Sequence, residues 1–278
     1  MNRWLAVVAV FALTAGAARA QDADPAESVV WQKVHESVFA NAPIATADGI
    51  VTLDTPKRAE DAAIVPVAIR SGIAQRSDRY IDTIWLIVDN NPSPIAAVFH
   101  FTTASGRADM ETRIRVEQYT HVRAIARTND GKLYMAVNYV KASGGCSAPA
   151  GKVAAAAQAS LGKMRLRVDG APSAGKPALA QLMISHPNDS GLAMDQVTRT
   201  YATPHFVREV DVSYQGKSVM RADVDFSISE NPNFRFYFVP GDGEGGELQA
   251  KVVDNQDLAF ATSVRLDAVR GASTSMAP

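Results

Sequence analysis

The sequence predicts an all-β fold: two immunoglobulin-like β-sandwich domains in tandem. Three observations carry that expectation. Short runs of β-branched and aromatic residues recur along the 278-residue chain, broken by clusters of Gly, Pro, Asn and Asp. The runs fall into two groups. A stretch that shifts abruptly to alanine separates those groups, at residues 147–162.

The first group occupies residues 40–141, within a first domain at 21–146. Residues 26–39 precede it and are expected to be helical, since Val30, Val34 and Val38 fall at helical spacing. Residues 50–53 form a short strand bounded by Asp-Gly and Asp-Thr-Pro. Residues 64–69 follow, and Pro66 assigns them to an edge or a bulge, because proline cannot donate to a ladder. Residues 80–88 are dense enough in Ile, Trp, Leu and Val for a central strand. Strands at 95–101, 110–119, 122–128 and 133–139 complete the group. The last two flank Asn129, Asp130 and Gly131, residues that tolerate the positive φ of a tight hairpin turn. Short strands with frequent turn signals suggest the immunoglobulin-like sandwich.

The second domain spans 163–268, with a frayed tail at 269–278. Residues 164–168 alternate apolar with basic side chains, as a half-exposed strand does. Further strands are expected at 179–185, 206–213, 217–226, 234–239, 247–253 and 258–264. Gln215-Gly216 is a turn, and the glycine cluster at 241–246 reads as a hairpin. It joins two strands without a helix N-terminus, so it does not read as a phosphate loop. The alanine-rich stretch is a linker, with a turn or two of helix expected at 153–161.

Residues 1–20 stand apart from the fold. Arg3 supplies a positive charge, residues 4–13 are apolar, and Ala18-Arg19-Ala20 fits a small-x-small cleavage rule. The apolar run is about half the ~20 residues a membrane span needs. A cleavable signal peptide is therefore expected, with export to a bacterial periplasm. The net charge of −1 gives no field that favours nucleic acid or an anionic membrane. No cofactor and no metal is expected. The five histidines are scattered, and neither His-Glu-x-x-His, Cys-x-x-Cys nor Gly-x-Ser-x-Gly occurs. Asn188-Asp-Ser190 fits a glycosylation sequon, which carries little weight in an exported bacterial protein. Asp223 and Asp225 share a strand face that reads as solvated.

Cys146 is the single cysteine, preceded by Gly144-Gly145 and followed by Ser-Ala-Pro-Ala-Gly. An odd cysteine in an exported chain reads as an intermolecular bond or a reactive thiol, against the plainer reading of a small buried hydrophobe. Its neighbours are all small, so nothing local buries the sulfur. A catalytic pairing with His100 or His121 would need a fixed geometry, and a Gly-Gly hinge is a poor support for one. A carrier thiol, by contrast, should be mobile. No carboxylate lies within the arm, and Lys141 and Lys152 flank it, a setting that favours the thiolate and an anionic cargo.

The chain resembles the SoxYZ sulfur-oxidation carriers, with SoxY-like and SoxZ-like domains fused. The SoxY-like part rests on residues 48–54, Val65-Pro-Val67, Asn91-Pro-Ser-Pro94, 99–106, 112–116 and Gly144-Gly-Cys146. The SoxZ-like part rests on His186-Pro187, 214–217 and 227–233. More narrowly, it looks like fused carriers associated with quinoprotein dehydrogenases. The resemblance implies two packed immunoglobulin-like domains and no catalysis by the chain itself. It implies Cys146 as the covalent attachment point and Gly144-Gly145 as the arm hinge. The cargo would be a sulfur species, or another group linked to a quinoprotein dehydrogenase system, and the partners would be periplasmic redox enzymes, of Sox type or of a quinoprotein dehydrogenase system. The odd cysteine leaves both a monomer and a Cys146-linked dimer open. The alternative is an accessory binding module for such a dehydrogenase or its cytochrome, with the cysteine incidental. One departure is plain: where SoxY ends in Gly-Gly-Cys-Gly-Gly, this arm continues into Ser147-Ala148 and a second domain, so it is tethered at both ends.

Overall fold

The computed structural model describes residues 24–148, 159–194, 199–241 and 245–267. The expected signal peptide, most of the alanine-rich linker and the tail lie outside those residues. The first half contributes helix α1 (Val29–Phe39) and strands β1 (Ile44–Thr46), β2 (Val51–Asp54), β3 (Val65–Ser71), β4 (Ile81–Val88), β5 (Ile95–Phe101), β6 (Met110–Ile114), β7 (Thr120–Thr128) and β8 (Leu133–Val140). The second half contributes β9 (Met164–Val168), β10 (Ala178–Ile184), β11 (Val207–Tyr214), β12 (Lys217–Val224), β13 (Asn233–Phe238), β14 (Gly246–Asp254) and β15 (Ala259–Leu266).

The fold is all-β, a sandwich-like half followed by another, as the strand pattern predicts. The halves do not sit apart, however. A nine-stranded sheet runs β1-β8-β7-β4-β5-β12-β11-β14-β15, and a six-stranded sheet runs β2-β3-β6-β13-β10-β9. Each sheet crosses from one half to the other through an antiparallel seam. In the larger sheet β5 pairs with β12, with Phe99 opposite Ala222. In the smaller one β6 pairs with β13, with Met110 opposite Phe236. Alternation along the strands then points both apolar faces inward, so a single core contains Ile69, Ile84 and Phe99 from one half with Leu182, Val210 and Phe234 from the other. Phe99 meets Phe234 edge to face, with ring centroids 6.3 Å apart.

β4 is apolar almost without alternation because both of its faces are covered. The core takes one face. Helix α1 takes the other, laying Trp31, Val34 and Phe39 against Ile87, Ile125 and Leu133. The helix begins where the Ser28 side chain accepts from the Trp31 N–H, and ends at Ala40, whose φ of 49° is left-handed. A buried ion pair anchors this end: Arg123 donates to Asp89 at 2.8 and 2.7 Å and lies 4.3 Å from the centre of the Trp31 ring.

Two turn assignments resolve differently. Residues 128–132 do join β7 to β8, and Gly131 has φ 84°. The cluster at 241–246, in contrast, is no hairpin. β13 lies in the six-stranded sheet and β14 in the nine-stranded one, so this segment carries the chain from one layer to the other. Strand propensity marks both flanks but is silent on which sheet each joins. Pro66 is placed where it does least harm: β2 ends at the Asp54–Ala68 pair, so the ladder on that side of β3 stops before the proline.

Candidate functional site

The site forms where the chain leaves β6 and where it leaves β8. Beyond Ile114 the backbone stays extended. The Arg115 N–H donates to Ser227 O at 2.7 Å, and the Val116 N–H to Ala62 O at 2.8 Å. The segment after β8 returns alongside it, Gly144 donating to Glu117 O at 2.9 Å and Gly145 to Val116 O at 3.0 Å. This approach requires glycine. A Cβ on Gly145 would lie 2.0 Å from Ala62 O, and Gly144 has φ 81°.

Cys146 follows and is 1% exposed. No local residue buries the sulfur, as expected, but distant residues do, and they hold in place a thiol expected to be mobile. Glu117 clamps the segment, its carboxylate accepting from the Cys146 N–H at 2.8 Å, the Ser147 N–H at 3.1 Å and the Ser147 hydroxyl at 3.0 Å. From the second half, the Ser190 hydroxyl donates to Cys146 O at 2.5 Å. The thiol is thus held at the junction of the two halves, away from the outer surface at which a second chain's cysteine would meet it.

Arg115 ties the covering segment down. Its guanidinium donates to the carbonyls of Asn188, Phe226, Ile228 and Pro187, while its buried Nε has no partner. Asn188 is fully buried, donating from Nδ2 to Ile228 O and accepting from the Val207 N–H, so the apparent sequon is a structural asparagine. The electrostatics follow from this enclosure. Burial pushes the Cys146 thiol up to about 12, the Glu117 and Asp225 carboxylates adding to the shift and Arg115 opposing it. Burial likewise raises Asp225 and lowers Arg115. Lys152 lies outside the described residues, and among those described the setting does not favour the thiolate: two carboxylates that sequence distance concealed add to the shift.

The histidines that sequence offers as partners go elsewhere. His100 meets Asp223 at 3.1 Å, across the β5–β12 seam, and His121 stacks edge-on against Tyr139. Asp223 itself is paired with Arg221 as well as His100, whereas Asp225 is half-buried, its carboxylate accepting from the Phe226 N–H at 2.6 Å. His186, His205 and Asp254 do assemble, with candidate ligand atoms within 4.8 Å of one another. Their hydrogen bonds argue against a metal there. The Asn188 N–H donates to His186 Nδ1 at 3.0 Å, which places the proton of the neutral ring on Nε2, the atom that would have to ligate. Both Nε2 atoms instead face Asp254 Oδ2, at 3.5 Å from His186 and 2.8 Å from His205. Asp254 Oδ1 accepts the N–H groups of Gln256 and Leu258. This trio fixes the root of the segment that covers Cys146.

Comparison with known families agrees with this division. The model of sulfur oxidation protein SoxY matches residues 35–146, and that of sulphur oxidation protein SoxZ matches residues 165–265. The chain belongs to the fused SoxYZ-like family. Its SoxY domain ends, in that match, at Cys146 itself. Among solved structures, the sulfur carrier protein SoxY from Chlorobium limicola f thiosulfatophilum is 23% identical, with 40% of this chain and 90% of that chain covered at a TM-score of 0.33. A superoxide reductase (neelaredoxin) from Ignicoccus hospitalis is 15% identical, with 40% of this chain and 90% of that chain covered at a TM-score of 0.31. No curated protein gives a significant match.

Sequence reasoning places Cys146, Gly144 and Gly145 at the site, and misses Glu117, Arg115 and Ser190. Arg115 and Glu117 lie close behind β6 in a run that reads simply as strand. Ser190 is visible in the sequence only as the end of the Asn188-Asp-Ser190 sequon, which says nothing of Cys146. The available clue was the double glycine, which permits close backbone approach as readily as motion.

Proposed function

We propose that this SoxYZ-like protein is a non-enzymatic carrier that holds a sulfur-containing group covalently on Cys146, exported to the periplasm by residues 1–20. The observation that carries the reading is the position of Cys146. It is the last residue of the SoxY match and is enclosed by SoxY and SoxZ residues together. Thiol carriage needs a thiolate at the moment of loading, and the docked thiol is protonated. The geometry therefore supports two states: a docked arm that protects the thiol, and an undocked arm turning about Gly144-Gly145 that meets a partner enzyme. Periplasmic redox enzymes, of Sox type or of a quinoprotein dehydrogenase system, are the proposed partners.

Intact-mass spectrometry of protein from its native periplasm, with and without reductant, tests the reading. A reducible adduct mapped to Cys146 supports it. An unmodified chain from cells actively oxidising substrate overturns it. The deep burial of Cys146 favours one second reading, an accessory binding module with the cysteine buried as a small apolar group. Full function of Cys146→Ser in a deletion strain is its signature.

A further inference from the structure

We propose that Glu117 is a charge-sensitive latch, holding the arm docked while Cys146 is an uncharged thiol and releasing it once the sulfur carries an anion. The inference rests on the carrier reading and adds to it a residue and a direction. Three hydrogen-bond donors of Cys146 and Ser147 converge on this one carboxylate. Glu117 is half-buried, and among the described residues no lysine or arginine pairs with it, so these donors are its protein partners there. Its backbone is held in turn: the Glu117 N–H donates to Asn91 Oδ1 at 2.9 Å, and buried Asn91 donates to Arg115 O and Ser227 Oγ.

Among the described residues, the charged groups coupled to the thiol are Glu117, Arg115 and Asp225. Arg115 has its terminal nitrogens committed to the carbonyls of Pro187, Asn188, Phe226 and Ile228, and only its buried Nε is without a partner. An anion on Cys146 Sγ is therefore opposed by the carboxylates of Glu117 and Asp225 and favoured by Arg115 alone among the described residues, in a space where Cys146 is 1% exposed and Gly145 already abuts Ala62 O. Repulsion and lost hydration act together to expel the loaded arm, and the bonds to Glu117 are the ones that give way. A bare thiol docks, and the cargo is presented.

The test separates charge from bulk. Cys146 is converted to mixed disulfides with methanethiosulfonate reagents at high pH. The thiolate attacks the sulfenyl sulfur, a disulfide forms, methanesulfinate leaves with the electron pair, and the thiol proton goes to buffer. Sulfonatoethyl and trimethylammonioethyl adducts have similar bulk and opposite charge, so the part of their difference that Glu117→Gln removes reports the field of Glu117. Hydrogen exchange is then measured at neutral pH on the peptide containing residues 144–147. The anionic adduct is expected to exchange at least tenfold faster than the cationic one, and Glu117→Gln to shrink that ratio several-fold. Equal exchange, or faster exchange of the cationic adduct, overturns the latch. The wild-type comparison stands even if the variant does not fold. The result is independent of whether native protein carries cargo, so failure of the latch and failure of carriage are told apart.

Discussion

Cys146 combines a reactive atom with an environment that suppresses its reactivity, and both halves of that statement are measurable. With the thiol pushed up to about 12, the thiolate is scarce at neutral pH, and the sulfur is enclosed as well. Relative to an unperturbed thiol near 8.5, iodoacetamide should react roughly a thousandfold more slowly in the folded protein, with the full rate restored in denaturant. Following the alkylated mass over time checks this. The same shift makes stability depend on pH. An acid whose folded value lies above its unfolded value keeps the proton longer when folded. Its contribution is therefore complete below the unfolded value and is lost as pH rises toward the folded one. Wild type should lose stability relative to Cys146→Ser as pH rises from about 8.5 to 10.5, by about 1 kcal/mol per unit, read from denaturant midpoints. Equal slopes would mean that the docked thiol titrates normally. Sequence shows this residue and its glycines, since composition alone singles them out. It does not show Glu117, because a carboxylate 29 positions away leaves no local trace of where it points.

At the scale of the element, the segment from His186 to Leu192 decides how well the thiol is covered. Ser190 reaches the Cys146 carbonyl, and the Leu192 N–H closes back on the Ser190 hydroxyl. Ser190→Ala removes a bond of about 1 kcal/mol, so alkylation of Cys146 should quicken about fivefold while the fold persists. The root of the segment is pH-sensitive. Burial, with His205 beside it, lowers His186 from 6.5 to about 4. A base held below its unfolded value binds fewer protons when folded, so its contribution is present above pH 6.5 and is lost as pH falls toward 4. Asp254, also lowered, adds a loss below about pH 4, the usual aspartate range. Melting temperature should therefore fall as pH drops from 6.5 to 4.5, and His186→Gln should flatten that fall. Strand positions such as β5 and β9 are legible in the sequence because alternation and β-branching are local. The parallel strand β1 is not, since three residues beside Leu133–Met135 gain their state from the partner. The sheet change between β13 and β14 is hidden for the same reason: the glycines permit either path, and core packing chooses.

For the molecule as a whole, the two seams matter more than the linker. Tandem domains joined only by a linker would each keep their own core and edges. Here β5–β12 and β6–β13 make the sheets continuous, and one core runs through both halves. Separating the halves would expose two sheet edges and the Phe99–Phe234 contact at once, a surface prone to association. The molecule should consequently unfold in a single calorimetric transition rather than two. Phe99→Ala, which empties a fully buried position at the seam, should cost about 3–5 kcal/mol and lower that transition without splitting it. A cut in the alanine-rich stretch gives the complementary result. Because the β5–β12 and β6–β13 seams hold the halves, protein nicked there should elute as one species in size exclusion, with Cys146 still slow to alkylate. Expressed alone, each half should aggregate or recruit its complement when the two are mixed. Two well-separated transitions, or stable monomeric halves that ignore each other, would return the chain to two independent domains. They would also remove the physical reason for placing the thiol at the junction, since only a rigid seam keeps Ser190 and Arg115 in register with the arm.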